Sequence, residues 1–200
     1  MNKLFVVIIL LIVIFTISCS NKNPTNEELF NELVKTINNI ETYSADVNIS
    51  IESNKGKEKY SAKHIFSKPK KYRIKYLDEK QEIYFDGKSL YLIYPNIDKT
   101  KIVLERKEID QYSTLFIGYF LEIIQTSEKI EMKSDKDFLI IDLELPGNST
   151  KRRNQRIWFS KENFKPHKMI ITDTKGMENV EVKYDNLNYN VKLTEDMLFE

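Results

Sequence analysis

The sequence predicts an α+β protein built on one large, curled antiparallel sheet that helices cover as a lid or plug. Through most of the chain apolar and polar residues alternate with a period of two, in about ten strands separated by short polar turns. Two segments instead show the helical period. Eleven Tyr and eleven Phe against five Gly and five Pro favour strands. Because a sheet of so many strands twists and curls, we expect it to have a concave face.

The first predicted helix begins at Thr25 or Asn26, because Thr25 and Glu28 have the spacing of a capping box. The second, over residues 110–126, has the most regular helical period in the chain. Its apolar stripe is too wide to lie on a surface, so we predict that it plugs the concave face. The stripe consists of Tyr112, Leu115, Phe116, Tyr119, Phe120, Ile123 and Ile124.

Strands are predicted before and after the second helix wherever the period is two. Residues 89–94 are apolar on both faces, which predicts cover on both sides of the sheet there. The predicted strands are 44–53, 60–66, 71–76, 82–85, 89–94, 100–106, 137–145, 155–160, 168–174 and 179–189, with a short closing strand or turn over 193–199.

The chain begins with an apolar run of about fourteen residues after Lys3, shorter than the roughly 20 that span a membrane, as in a secretory signal. The run ends in residues 16–19, which resemble the lipobox of bacterial lipoproteins, with Thr16 where Leu is usual. The resemblance implies removal of the signal and a covalent diacylglyceryl or acyl lipid on Cys19, the one cysteine. The alternative is an uncleaved anchor with an incidental cysteine. The predicted organisation is a signal peptide over 1–18, a lipidated tether over 19–25 and one domain over 26–200.

Charge and composition exclude several classes of function. Thirty-one basic and thirty acidic residues leave a net charge of +1, which argues against nucleic acid as a main partner. No catalytic constellation, metal-ligand spacing or Gly-rich phosphate loop is present in the sequence. The two histidines, His64 and His167, are expected to be structural or solvated. We therefore predict a protein that is not an enzyme and that holds no metal or free cofactor.

Four stretches in order resemble the LolA/LolB lipoprotein-localisation family. Residues 68–73 look like its "Pro…Phe-Arg" strand and residues 85–91 like its "Asp-Gly-Lys-x-Leu-Trp" hairpin. Residues 157–176 resemble its late meander, and residues 186–199 its closing "Asn…Phe" segment. The resemblance implies an eleven-stranded half-barrel with a helical lid over residues 26–199. In type it is closest to the germination lipoprotein GerS of spore-forming bacteria.

The candidate site is the lining of the concave face. It is either a cavity for acyl chains or a filled core, and large aromatic side chains favour a filled core. The resemblance implies a lid contact for Arg73; the alternative is an exposed strand arginine. Residues 151–153 with Arg156 could meet anionic headgroups or an acidic partner, or form a solvated loop. The predicted lining residues are Tyr72, Ile74, Phe85, Leu92, Tyr112, Phe116, Tyr119 and Phe120.

These observations and the resemblance lead to one leading hypothesis and two rivals. The leading hypothesis is an exported lipoprotein, anchored to the outer face of a bacterial or spore membrane, that binds and activates a cortex-lytic amidase during spore germination. One rival is a carrier or receptor that holds the acyl chains of lipids or lipoproteins. The other is a sensor of envelope stress. A partner, or a second copy in a homodimer, could pair with an open sheet edge.

Overall fold

The computed structural model describes residues 24–53, 56–78, 80–97, 100–104, 112–127, 129–147, 149–194 and 197. The predicted signal peptide, the predicted lipidation site Cys19 and most of the predicted tether lie outside these residues. The described elements are α1 (Asn26–Asn38), β1 (Thr42–Ser53), β2 (Gly56–Ser67), β3 (Lys71–Tyr76), β4 (Glu82–Phe85), β5 (Leu90–Tyr94), β6 (Thr100–Leu104), α2 (Ile117–Thr126), β7 (Ile130–Ser134), β8 (Phe138–Glu144), β9 (Asn154–Ser160), β10 (Pro166–Thr172) and β11 (Glu178–Tyr189).

All the described strands belong to one open, antiparallel, eleven-stranded sheet. The strand order is β6-β5-β4-β3-β2-β1-β11-β10-β9-β8-β7. Pairing of β1 with β11 brings the two ends of the domain together in the middle of the sheet, and leaves β6 and β7 at its edges. This architecture confirms the predicted half-barrel with helices over it.

The first helix forms as the sequence predicts. The Thr25 hydroxyl accepts a hydrogen bond from the Glu28 amide at 3.2 Å, and the Glu28 carboxylate accepts one from the Thr25 amide at 2.7 Å. This reciprocal capping box satisfies two backbone donors that helix geometry leaves unbonded. Leu29, Leu33 and Ile37 are buried and hold α1 against the sheet near β7 and β8.

One face of the sheet, here called the inner face, carries the hydrophobic core. Along β1 every second side chain is buried, from Tyr43 to Ile49, and β11 opposite presents Val180, Val182 and Tyr184. Both helices contribute buried residues to this core. Strict alternation thus sends one set of side chains to the core and the other to the outer face.

The second helix differs from its prediction. Tyr112 and Ser113 are helical, residues 114–116 form a turn and a bend, and α2 begins at Ile117, so the segment is not one continuous helix. Side chains of the sheet bond to backbone groups of these turns, so the local apolar period did not decide the backbone conformation. The strand β7 was not predicted at all; its alternation of Ile130 and Met132 with charged residues is only five residues long.

Candidate functional site

Four strands of the inner face hold the turns before α2 through hydrogen bonds. Residues 112–126, turns and helix together, are called the plug below. Each bond joins a sheet side chain to a plug residue that is distant in sequence. The bonds are Tyr72 OH with Ser113 Oγ at 3.0 Å, Gln155 Nε2 to the Thr114 carbonyl at 2.7 Å, Tyr184 OH to the Leu115 carbonyl at 2.9 Å, and the Ile117 amide to Tyr43 OH at 3.2 Å.

These bonds are buried, which increases the cost of breaking them. Burial raises the pKa of Tyr43 well above its usual value, and burial likewise raises the pKa of Tyr184. Both hydroxyls therefore stay protonated under all ordinary conditions. The Tyr184 hydroxyl donates its proton to a plug carbonyl, while the Tyr43 hydroxyl accepts from a plug amide. The plug is thus fixed in one position by directional bonds as well as by apolar contact.

Aromatic rings fill the space beneath the plug. The Phe116 ring centroid lies 4.3 Å from that of Tyr72 and 4.6 Å from that of His64. Phe120 packs on Phe159 with ring centroids 5.2 Å apart. In this region the concave face is therefore a packed core rather than an open hollow.

Gly118 allows the plug to approach the sheet this closely. A Cβ atom at position 118 would lie 2.2 Å from the Phe66 ring, well inside van der Waals contact. Any side chain there would force either the Phe66 ring or the helix to move. The glycine is therefore part of the packing and not a flexible point in the helix.

The predicted lining residues all belong to this one core. Leu92, Tyr112 and Tyr119 are half-buried and pack against it. The fully buried members are Tyr72, Ile74, Phe85, Phe116 and Phe120.

A cleft remains where the plug meets one end of the sheet. Its volume is about 610 Å³, and it opens to solvent between the β2–β3 turn, the β4–β5 turn and α2. At its mouth Lys70 Nζ lies 3.0 Å from the Glu122 carboxylate, and Lys88 and Ser89 lie alongside. Its aromatic wall consists of Phe66, Tyr72, Phe85, Phe116 and Tyr119. This cleft is the part of the predicted cavity that is open.

Arg73 lies on the outer face, away from the plug. Its Nε donates to the Glu82 carboxylate at 2.8 Å, and its Nη1 donates to the Met197 carbonyl at 3.3 Å. Both members of the ion pair are buried, at 8% and 4% exposure. This placement differs from the predicted lid contact, because Arg73 alternates with Tyr72 and Ile74, which face the plug. Its described contacts instead tie the C-terminal segment to β3 and β4.

The basic loop does not form an exposed patch. Arg153 pairs with Glu144, and Arg156 Nε lies 2.6 Å from the Asp142 carboxylate. Arg152 is half-buried, and its burial lowers the pKa of the guanidinium. Of the four predicted residues Lys151 and Arg156 are exposed, and Arg156 is already paired. The structure therefore favours neither a headgroup patch nor a freely solvated loop, since the arginines are engaged within the domain.

The histidines differ in environment. His64 is fully buried in the core, and neither ring nitrogen has a hydrogen-bond partner among the described residues. Burial lowers the pKa of His64 from its ordinary value of 6.5 to about 3. His167 is exposed and stacks on Phe138, with ring centroids 5.2 Å apart. Neither arrangement brings a second catalytic group to the imidazole among the described contacts.

Within the described part of the chain, no three side chains of His, Cys, Asp or Glu lie where they could hold a metal ion. No helix in the described ranges is long and apolar enough to cross a membrane.

Sequence reasoning missed most of the polar groups that hold the plug. The strand pattern does not single out Tyr43 or Tyr184, and Ser113 does not stand out within the apolar stripe. Gln155 left one detectable signal: it occupies an inner position of β9, in alternation with Ile157 and Phe159, where an apolar residue is expected. A buried amide in such a position must find a partner, so it marks a contact with another element.

The family comparison covers almost the whole chain. Residues 1–199 match the family model described as "Sporulation protein YdcC-like". The chain belongs to this family. No curated protein matches it significantly.

Solved structures share the fold at low sequence identity. The complex of the CwlD amidase with the GerS lipoprotein from Clostridioides difficile matches with a TM-score of 0.51 and 22% identity, over 86% of this chain and 99% of that chain. An uncharacterised conserved protein from Thermus thermophilus matches with a TM-score of 0.58 and 12% identity, over 86% and 93%. A LolA superfamily protein from Nitrosomonas europaea matches with a TM-score of 0.45 and 11% identity, over 85% and 97%. The YdcC-like chain therefore shares its fold with the matched chain of the GerS–CwlD complex and with the Thermus protein.

Proposed function

We propose that this YdcC-like protein is a membrane-anchored lipoprotein that binds and activates a cortex-lytic amidase during spore germination, without catalysis of its own. The observation that carries the proposal is the filled inner face: the plug is bonded to four strands and packed with aromatic rings. A carrier needs that volume for cargo, whereas a protein-binding module uses its outer surfaces and edges. Membership of a sporulation family supports the same proposal, and so does the similarity to a structure of GerS in a complex with an amidase.

The anchor is part of the proposal. A lipid on Cys19 would hold the protein at the membrane, and the tether to Thr25 would reach about 20 Å when extended. A protein held in this way cannot travel with cargo, which supports a stationary activator. In cell fractionation, Cys19→Ala should move the protein from the membrane to the soluble fraction or leave the signal uncleaved. An unchanged, processed membrane form would refute lipid anchoring through this cysteine.

A reconstituted assay tests the activator role. Protein covering residues 20–200 is mixed with the cortex amidase of the same organism, and release of stem peptides from purified cortex peptidoglycan is measured with and without it. We expect binding in the micromolar range or tighter and a clear increase in amidase rate. Absence of both binding and activation would refute the proposal.

One observation favours a second candidate function, a carrier or receptor for acyl chains. The cleft of about 610 Å³ has an aromatic wall and a lysine-bearing mouth, features that fit an amphiphile with an anionic end. Native mass spectrometry of protein purified from membranes would detect a copurified lipid.

A single variant separates the two functions. Ser89→Trp places a large ring on the lining of the cleft, at a residue that makes none of the four bonds that hold the plug. If the protein is an activator, this variant should still stimulate the amidase. If it is an acyl carrier, the variant should lose the copurified lipid. Loss of amidase activation together with lipid would instead connect the cleft to the partner function.

A further inference from the structure

The cleft at the end of the inner face has a polar side as well as an aromatic one. Lys70, Lys88, Ser89 and Glu122 line it together with the aromatic wall. A polar group that an acyl chain covered would lose water without gaining a hydrogen bond, and this loss costs free energy. The polar side therefore favours a ligand that carries hydrogen-bonding groups of its own.

The inner end of the cleft is closed. Ser113 lines it, and the Ser113 hydroxyl lies 3.0 Å from the Tyr72 hydroxyl in a buried hydrogen bond. The Phe116 ring centroid lies 4.3 Å from that of Tyr72 and 4.6 Å from that of His64, so the packed core begins there. A long chain would need the cavity to continue at this point, whereas a compact ring system fits within the volume of about 610 Å³.

The aromatic wall suits the ring of a sugar. Phe66, Phe85 and Tyr119 are among the aromatic residues that line the cleft. The face of an aromatic ring carries partial negative charge, so it attracts the partially positive C–H groups on the flat side of a sugar ring. The hydroxyl groups at the edge of the sugar then meet the polar side of the lining, where Ser89 can donate or accept and Glu122 can accept.

The charges of the lining point to a carboxylate on this sugar. Lys70 Nζ lies 3.0 Å from the Glu122 carboxylate, so these two charges offset each other. Lys88 is exposed and adds a second positive charge. It lies on an ordered turn, because the Asp86 carboxylate accepts from two backbone amides of the turn at 2.8 Å and from the Tyr91 hydroxyl at 3.0 Å. Lys88 therefore offers a positive charge to an anionic group at the mouth of the cleft.

We propose that the cleft binds a carboxylated amino sugar of the cortex glycan, with the carboxylate at Lys88 and the flat side of the ring on the aromatic wall. The choice of this sugar rests on the proposed function. Hydrolysis by an amidase adds water across the bond between the sugar and its stem peptide, which leaves a carboxylate on the sugar and an amine on the peptide. The cleft thus takes glycan on which the amidase has already acted, and its open mouth admits a sugar within a polymer.

Titration with a small glycan tests this assignment without the amidase. The probe is the disaccharide of N-acetylglucosamine and N-acetylmuramic acid with its carboxylate free. It is added to protein of residues 20–200, and the NMR shifts of the backbone amides are followed. The matched ligand is the same disaccharide with the carboxyl group converted to an amide, which keeps both rings and removes the charge. Sodium laurate is the acyl probe.

Three variants separate the charge of Lys88 from general surface charge. Lys88→Ala removes the positive charge at the mouth of the cleft, and Lys88→Arg keeps it. Lys175→Ala is the matched control, because Lys175 is exposed and lies outside the cleft lining. All three positions are on the surface or keep their charge, so the fold should be unaffected.

We expect the natural protein to bind the carboxylated disaccharide with a Kd of about 1 mM or tighter. The largest shifts should be at Ser89 and Gly118, which line the cleft. Conversion of the carboxylate to the amide, or Lys88→Ala, should each raise the Kd at least about threefold, because each removes one member of an ion pair. Lys88→Arg and Lys175→Ala should stay within about twofold of the natural protein.

Three results would overturn the proposal. They are the absence of shifts up to about 10 mM disaccharide, equal affinity for the two disaccharides, and shifts at the cleft with laurate alone. Because no amidase is present, a failure here leaves any measured stimulation of the amidase standing. Absence of stimulation, in turn, leaves the measured Kd of the disaccharide standing, so the two proposals fail separately.

Discussion

His64 should make this protein lose stability as the pH falls from neutral. The ring is fully buried, stacks on Phe116 and meets Tyr184 edge-on at 6.3 Å between centroids. The other buried polar side chains described in the plug and on the inner face beneath it carry no charge; they are Tyr43, Tyr72, Ser113, Thr114 and Gln155. Nothing described nearby can therefore stabilise an imidazolium. Burial lowers the pKa of His64 to about 3 in the folded protein.

The sign and size of the effect follow from linkage. Below about pH 6.5 the unfolded chain binds a proton at this histidine, whereas the folded protein does not until about pH 3. Stability is therefore complete above pH 6.5 and decreases as the pH falls between these two values. Each pH unit within this window lowers the free energy of unfolding by about 1.4 kcal/mol. At pH 5, His64 alone therefore lowers it by about 2 kcal/mol.

The His64→Leu variant isolates this contribution. Urea unfolding followed by circular dichroism at about pH 8 and pH 5 gives the free energy of unfolding for each protein. The loss between the two pH values should be about 2 kcal/mol smaller in the variant. At pH 8 the variant should be as stable as the natural protein or about 1 kcal/mol more stable, because two unbonded buried nitrogens disappear.

His167→Gln is the matched control, since that histidine is exposed. This substitution should leave the pH dependence almost unchanged. Equal pH dependence in the natural protein and in His64→Leu would refute the reasoning. It would mean that the folded protein admits water or a charge to the imidazole that the static packing does not contain.

Three further substitutions test the packing of the plug and of the outer face. Gly118→Ala should lower the free energy of unfolding by about 1–3 kcal/mol in thermal melts, because its Cβ meets the Phe66 ring at 2.2 Å; an unchanged melting temperature would show that α2 moves freely. Gln155→Leu should lower the free energy of unfolding by about 1–3 kcal/mol and speed hydrogen exchange in the plug, because a buried carbonyl loses its hydrogen bond. Unaltered exchange would contradict the anchoring role. Glu82→Ala should lower the free energy of unfolding, measured in urea, by about 3–5 kcal/mol, because it removes the carboxylate that accepts from buried Arg73. A loss below about 1 kcal/mol would show that the ion pair is solvated.

The outer-face ion pair shows how the C-terminal segment depends on the sheet. Arg73 and Glu82 alternate with core residues and would ordinarily point to solvent. Both are nevertheless buried, and the Met197 carbonyl accepts a hydrogen bond from the guanidinium. The sheet thus buries side chains on both faces near β3 and β4.

Local periodicity in the sequence determines much of this fold. The direction of a side chain on a strand depends only on its neighbours in sequence, so alternation assigns Tyr72, Ile74 and Phe85 to one face correctly. The capping box at Thr25 and Glu28 is equally local. The eight predicted lining residues share a core for the same reason, because each one lies on the apolar side of its element.

Tertiary structure alone decided which groups meet. Gln155 bonds a carbonyl 41 residues away, and Arg73 bonds one 124 residues away. No spacing in the sequence contains these contacts, because they depend on which strands are neighbours and on which segment covers each face. The same dependence decides that Arg153 pairs with Glu144. Sequence determined the faces of the elements, and only the folded sheet determined that a helix packs on its inner face and that β6 and β7 are its edge strands.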